Sequence, residues 1–260
     1  MNNPKTAELT SASTEMSRWR QWIASEQFPS NAERDLNYCA RCGGECVLTP
    51  RYMRPRIEGT RIKLEVCPER FKAGVKLLEW TAIPERYAGK TFADYEVTAD
   101  NERAVKLAKW FLSKGERGLY LYGAPGTGKT FLASLIAQEY VLMRRTVEFG
   151  DVPQLLNELK RGFDTKTAAA IYDRYCQRGL LVLDDLGAGK VSDWYVETIY
   201  RLINERYNRG RLIIVTSNYD LPTLESVLSK GDKYGGERIV SRLREMCVQG
   251  FLGVEDRRRR

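Results

Sequence analysis

The chain has 260 residues, 43% of them hydrophobic, and carries 42 Lys and Arg against 34 Asp and Glu, a formal charge of +8. No apolar run approaches the ~20 residues of a membrane span, and Met1 to Arg20 hold no signal-peptide core, so a cytoplasmic protein without a membrane partner is expected. Histidine is absent, which excludes imidazole acid–base chemistry and His-ligated metals; the basic balance and the closing run Arg257–Arg260 suit a polyanion such as nucleic acid, or simply a soluble basic enzyme.

Residues 1–30 are rich in Ser, Thr and Glu. Trp19, Trp22 and Ile23 could form one apolar stripe of a short helix, which either docks a partner or caps the next module. Four of the six cysteines follow: Cys39, Cys42, Cys46 and Cys67, at intervals of two, three and twenty residues. A Cys-x2-Cys turn lets two thiolates reach one tetrahedral ion, and a window so poor in large aliphatics gains from a metal staple. A structural Zn²⁺ site with these four ligands is the expectation. A disulfide pair is the alternative, which a cytosolic setting argues against. Cys176 and Cys247 stand alone and read as core thiols.

Pro68, a helical stretch Phe71–Trp80, and Pro84 with Gly89 then make an irregular passage. The expected division is 1–74 as a Cys-rich zinc module, 75–98 as a connector and 99–260 as the main domain, with the boundary near residue 75. From Asp100 to Ser113 the pattern is an amphipathic helix through Val105, Leu107, Ala108 and Phe111. Strand–helix alternation follows. Strands are predicted at 118–122, 146–149, 180–184 and 211–216, and helices at 129–144, 152–162, 166–177, 192–208 and 236–246. The strand runs are mostly apolar, as in a parallel sheet covered on both faces, and ligands bind such a sheet at the C-terminal ends of its strands.

The stretch Gly123-Ala124-Pro125-Gly126-Thr127-Gly128-Lys129-Thr130 sits between an apolar strand and a helix. That is the context of a phosphate-binding P-loop. Gly123, Gly126 and Gly128 allow a tight turn that brings backbone N–H groups against phosphate oxygens, and the helix that begins near Lys129 points its positive end at the same anion. Lys129 adds a full charge and Thr130 a hydroxyl for Mg²⁺. Leu180-Leu181-Val182-Leu183 ends in Asp184 and Asp185, of which the first suits Mg²⁺ and the second an attacking water. Leu212–Val215 ends in Thr216-Ser217-Asn218, and Asn218 could help place that water. Arg238 and Arg242 lie one turn apart on a helical stretch, either as a solvated basic face or as a guanidinium offered to a neighbour's nucleotide.

Together the P-loop, the Leu183-Asp184-Asp185-Leu186-Gly187 tip, the Thr216-Ser217-Asn218 tip and the Arg238-Ile239-Val240-Ser241-Arg242-Leu243 helix resemble an AAA+ ATPase of the DnaC/DnaI helicase-loader group. Ile83-Pro84-Glu85-Arg86-Tyr87 and Phe92 are also typical of that group. The resemblance spans about residues 80–250, and the cysteine-rich N-terminus is similar to the DnaI branch and its phage relatives. It implies an α/β P-loop AAA+ fold and ATP with Mg²⁺ as cofactors. It also implies a replicative hexameric helicase gripped by the N-terminal region, single-stranded DNA as a second partner, and self-association into a ring or spiral. By the same resemblance Lys129 and Thr130 are the Walker A pair, Asp184 and Asp185 Walker B, and Asn218 the sensor. Arg242 is then the arginine finger, with Arg238 the second candidate. The segment Asp151–Leu159 falls where these proteins carry a DNA-touching helix. Asp151 and Gln154 could cap it, and Lys160 and Arg161 could meet phosphates.

Two departures from the group matter. Many AAA+ proteins carry Asp-Glu where this chain has Asp184-Asp185, so hydrolysis should be slow, a switch more than a motor. Fourteen residues follow Met246, too few for a C-terminal helical lid, so another subunit or the helicase is expected to complete the site. IstB-like transposition ATPases are close kin and supply the alternative, regulation of a DNA transposase. They usually read Asp-Glu then Gly-Tyr and lack a four-Cys module. A third reading is a single-strand DNA-binding or inhibitory protein whose ATP site is only a structural switch.

Overall fold

A computed structural model describes residues 7–8, 53–58, 61–66, 82–142 and 145–256, with only the backbone of 7–8, 53–58, 61–66, 142 and 233. Cys39, Cys42, Cys46 and Cys67, the Trp19/Trp22/Ile23 stripe, the Phe71–Trp80 helix, the boundary near residue 75 and the Arg257–Arg260 run lie outside the described residues. The chain forms two compact units, Met1–Trp80 and Thr81–Arg260.

In the first unit three antiparallel strands are described: β1 (Ala7–Glu8), β2 (Met53–Glu58) and β3 (Arg61–Val66), in the order β1-β3-β2. Strands β2 and β3 pair from Met53 opposite Val66 to Glu58 opposite Arg61.

The second unit is a five-stranded sheet in the order β5-β6-β7-β4-β8, with every pairing parallel. The strands are β4 (Gly118–Tyr122), β5 (Val147–Asp151), β6 (Leu180–Asp184), β7 (Leu212–Ser217) and β8 (Cys247–Phe251). The helices are α1 (Glu102–Lys114), α2 (Lys129–Leu142), α3 (Val152–Asp164), α4 (Ala168–Gln177), α5 (Asp193–Asn208), α6 (Leu221–Leu228) and α7 (Lys233–Met246). Alternate strand residues serve opposite faces. Tyr120, Leu181, Leu183, Ile213 and Val215 join one buried cluster with side chains of α3 to α7. The intervening Leu119, Leu121, Leu180, Val182 and Ile214 are also fully buried, and α1 and α2 pack on the sheet.

Within the second unit the predicted strands and helices recur within a few residues of their expected ends. The strands of the first unit are not anticipated, and in the second unit a helix and a strand, α6 and β8, are absent from the sequence pattern. Helix α6 is hidden because Pro222 reads as a breaker; at the first turn of a helix it costs nothing, and Asp220 caps the helix by accepting the N–H of Thr223 at 2.9 Å. Strand β8 is short and interrupted by Gly250, where a Cβ would press on Leu121 and Ala104. It forms only because β4 offers an unpaired edge. Helix α7 also starts three residues early, capped by Asp232.

Residues 82–98, set apart as a connector in the sequence, are built into the second unit. The Gln138 amide of α2 receives the Gly89 N–H at 2.8 Å and donates to the Tyr87 carbonyl at 3.0 Å. The Tyr87 ring stacks on Phe131 at 4.9 Å.

Candidate nucleotide-binding site

The sheet order sets β7 between β4 and β6, so the loop leaving β4 and the acidic tip of β6 open onto one cleft at the C-terminal strand ends. The cleft holds about 520 Å³. Its floor is Pro125, Gly126, Gly128, Lys129 and Thr130, and its far side Asp151, Asp184, Asp185 and Asn218. The residues singled out from sequence in the P-loop, the β6 tip and the β7 tip are thus brought together.

In the loop, Gly126 and Gly128 take φ of 80° and 93°, where any side chain would be strained. The Thr127 hydroxyl donates to the Ala124 carbonyl at 2.9 Å. The Lys129 ammonium is buried and donates to the carbonyls of Gly123 (2.9 Å) and Ala124 (2.8 Å). It therefore sits folded onto the loop that would receive an anion. The segment after β8 braces the same loop: Ala124 N–H donates to Gly253 O at 3.1 Å and Leu252 N–H to Tyr122 O at 2.9 Å. A Cβ on Gly126 would run into the Asp256 carboxylate. No sequence pattern announces this bracing, since it depends on strand β8.

On the acidic side, the Thr130 hydroxyl donates to Asp184 Oδ1 at 3.0 Å, and the Thr216 hydroxyl donates to the same oxygen at 2.6 Å. Burial pushes the Asp184 carboxyl above its usual value, and those two hydroxyls pull it back. Burial also raises Asp185; the Lys129 charge opposes this and Asp151 adds to it. Asp185 adopts φ of +63°, rare for a residue with a side chain. Asn218 Nδ2 donates to its Oδ1 at 3.3 Å.

Arg86, Tyr87, Asp94, Tyr95, Glu96 and Phe131 form a wall that sequence reasoning did not assign to the site. Tyr95 lies at a tilted 5.4 Å from Phe131. The only sequence signal was the Ile83–Tyr87 stretch, since no spacing ties it to the P-loop. Planar side chains beside a phosphate cradle suit a nucleobase.

The oxygen donors fit Mg²⁺, a hard cation that keeps waters and shares phosphates. Among the described residues no group of three or more His, Cys, Asp or Glu side chains is placed to hold a metal by itself.

Other predicted residues fall elsewhere. Arg242 and Arg238 do not line the cleft; on α7 they cover aromatic rings of α5, Arg242 over Tyr207 at 4.1 Å and Arg238 over Tyr200 at 5.6 Å. Arg242 Nε also donates to Asn204 Oδ1 at 3.3 Å. Asp151 caps α3 through the Gln154 N–H at 3.0 Å while lining the cleft. Lys160 lies over the Trp194 ring at 4.8 Å.

Comparison with known proteins agrees with this geometry. The replicative helicase loader DnaI of Bacillus subtilis is 25% identical over 221 residues, covering 78% of this chain and 71% of its own. An ATP-binding protein of an insertion sequence from Mycobacterium tuberculosis is 27% identical over 137 residues, 50% of this chain and 54% of its own. Among solved structures, DnaI superposes with a TM-score of 0.60 at 26% identity, over 66% of this chain and 95% of its own. The DnaC helicase loader superposes at 0.57 and 27%, over 66% of this chain and 100% of its own. The IstB-like ATP binding protein family matches residues 73–258, the whole of the cleft included, and this chain belongs to that family.

Proposed function

We propose that this protein is an ATP-dependent loader that places a ring-shaped replicative helicase on single-stranded DNA, with slow hydrolysis as its switch. The observation that carries the reading is the extent of the DnaI similarity. It covers 78% of the chain, more than the Thr81–Arg260 unit alone supplies. The likeness to the insertion-sequence protein covers only 50%.

In this reading the N–H groups of the loop Gly123–Gly128 and the Lys129 ammonium hold the phosphates. Lys129 must leave its two carbonyls to do so. Thr130 and Asp184 hold Mg²⁺, whose charge would neutralise the triphosphate when bound. Asp185 orients a water, with Asn218 steadying its carboxylate. The wall of Tyr87, Tyr95 and Phe131 takes the adenine. Arg242, or Arg238, serves the nucleotide of the next subunit in a ring or spiral, which accords with its place outside its own cleft. Helix α3, with Lys160 and Arg161, meets single-stranded DNA, and the N-terminal unit, stapled by Zn²⁺ on Cys39, Cys42, Cys46 and Cys67, grips the helicase.

The test is helicase deposition on a bubble substrate by wild type and Lys129→Ala. Loading by the variant should fall to background, and undiminished loading would remove ATP from the mechanism. The family name and the insertion-sequence relative favour a second reading, regulation of a transposase. Co-purification separates the two: retention of a hexameric helicase supports the first, retention of a transposase the second.

A further inference from the structure

At the tip of β6, between the Asp184 carboxylate and the Asp185 backbone, stands a hydroxyl to which no role has been given. Thr216, on β7, is buried, and its Oγ touches both acidic residues. It lies 2.6 Å from Asp184 Oδ1 and 2.9 Å from the backbone N of Asp185. The direction of each bond follows from chemistry. An amide N–H can only donate and an ionised carboxylate can only accept. The single hydroxyl proton of Thr216 therefore goes to Asp184, and one of its lone pairs receives the Asp185 N–H. Bonds so chained polarise one another.

Each half of this bridge has a consequence. With Thr130 donating to the same atom at 3.0 Å, Asp184 Oδ1 holds two hydroxyl donors. That fixes the carboxylate plane and leaves Oδ2, which takes no protein hydrogen bond among the described residues, for a cation or its water. On the other side, Asp185 is held at φ +63°. The turn is pinned to β7 by three bonds: Asp185 N–H to Thr216 Oγ, Leu186 N–H to Thr216 O at 2.8 Å, and Ser217 Oγ to Leu186 O at 2.7 Å. Thr216 supplies the acceptor in two of the three. The same turn presents the Asp185 carboxylate to Asn218 and the cleft.

We propose that Thr216 is the positioning residue of the site, its one hydroxyl setting the orientation of Asp184 and the backbone turn of Asp185 together. This rests on the reading of the cleft as a magnesium–nucleotide site. Valine has the shape of threonine without the hydroxyl, so Thr216→Val removes the bridge and keeps the volume, while Thr216→Ser keeps the bridge.

The test uses the full chain loaded with a non-hydrolysable ATP analogue. Mn²⁺, titrated by paramagnetic resonance, reports metal affinity; a fluorescent ATP analogue in chelator reports nucleotide affinity without metal. Thr216→Val should weaken Mn²⁺ by about tenfold or more, the usual reach of a group that orients a ligand. With ATP in place of the analogue it should lower kcat with little change in KM, and it should leave metal-free nucleotide binding intact. Thr216→Ser should restore metal affinity and kcat. Unchanged Mn²⁺ affinity in Thr216→Val overturns the proposal, as does a serine variant as weak as the valine one, because the hydroxyl would then be present without effect. If Thr216→Val does not fold, Thr216→Ala replaces it in the same measurements: weakened Mn²⁺ binding that serine restores supports the bridge, and unchanged binding overturns it. A parent chain that binds no nucleotide sinks the cleft reading itself, an outcome distinct from a parent that binds and a valine variant that does not differ.

Discussion

Asp185 carries two demands that point in opposite directions. Its backbone sits at φ +63°, a region in which an L residue loses ~1–2 kcal/mol and which Asn and Gly enter most readily. Its side chain faces the cleft as a carboxylate. Asp185→Asn should therefore melt at the same temperature as the parent or slightly higher, while hydrolysis falls by about 100-fold or more if its charge orients water as proposed. Calorimetry and phosphate release read the two effects separately; a lowered melting temperature would refute the backbone argument. Cys247 gives a second check at this scale. Burial pushes its thiol up to about 12, so almost no thiolate exists at pH 8. Mass spectrometry after iodoacetamide should find Cys247 unmodified in the native protein and alkylated in guanidinium.

Among the elements, the join between α4, α5 and the sheet rests on one side chain. Arg206 is fully buried and donates to the carbonyls of Tyr175 (2.9 Å), Cys176 (3.1 Å), Arg178 (3.0 Å), Gly179 (3.3 Å) and Leu212. It thereby satisfies the carbonyls at the end of α4, which the helix leaves orphaned. Burial lowers its pKa to about 10, still a cation at neutral pH. Arg206→Met keeps the apolar stem and strands those carbonyls, and should cost about 3 kcal/mol or more by urea unfolding. A shift below about 1 kcal/mol would mean that water replaces the guanidinium. The strand tips behave differently. Each apolar run was plain in the sequence because burial on both faces leaves no polar gap, whereas α6 and β8 draw their stability from neighbours and left little trace.

For the whole molecule, Arg242 lies outside its own cleft, so its proposed use on a neighbour's nucleotide predicts that turnover needs self-assembly. Lys129→Ala and Arg242→Ala should each be inactive alone. Mixed, they should recover part of the parent's hydrolysis, because some interfaces then pair an intact loop with an intact arginine. A mixture as inactive as its components would place the finger elsewhere. Single-strand DNA affinity should fall steeply with salt, with a slope near −0.7 per neutralised phosphate; a flat response would exclude Lys160 and Arg161 as phosphate contacts. Purified protein should carry one Zn²⁺ per chain by elemental analysis, and a metal-free chain that folds normally would end the zinc assignment.

What could be read from the chain alone was whatever is local: an eight-residue glycine cradle, acids at the ends of apolar runs, the alternation of strand and helix. Their chemistry is written in adjacent residues, so no contact was needed to find them. Sheet order, the use of residues 82–98 as one wall of the cleft, the brace from the segment after β8 and the Thr216 bridge arise from residues tens of positions apart. Each becomes visible only when packing closes the loops between them, because a threonine or a tyrosine has no functional signature until its partner is beside it.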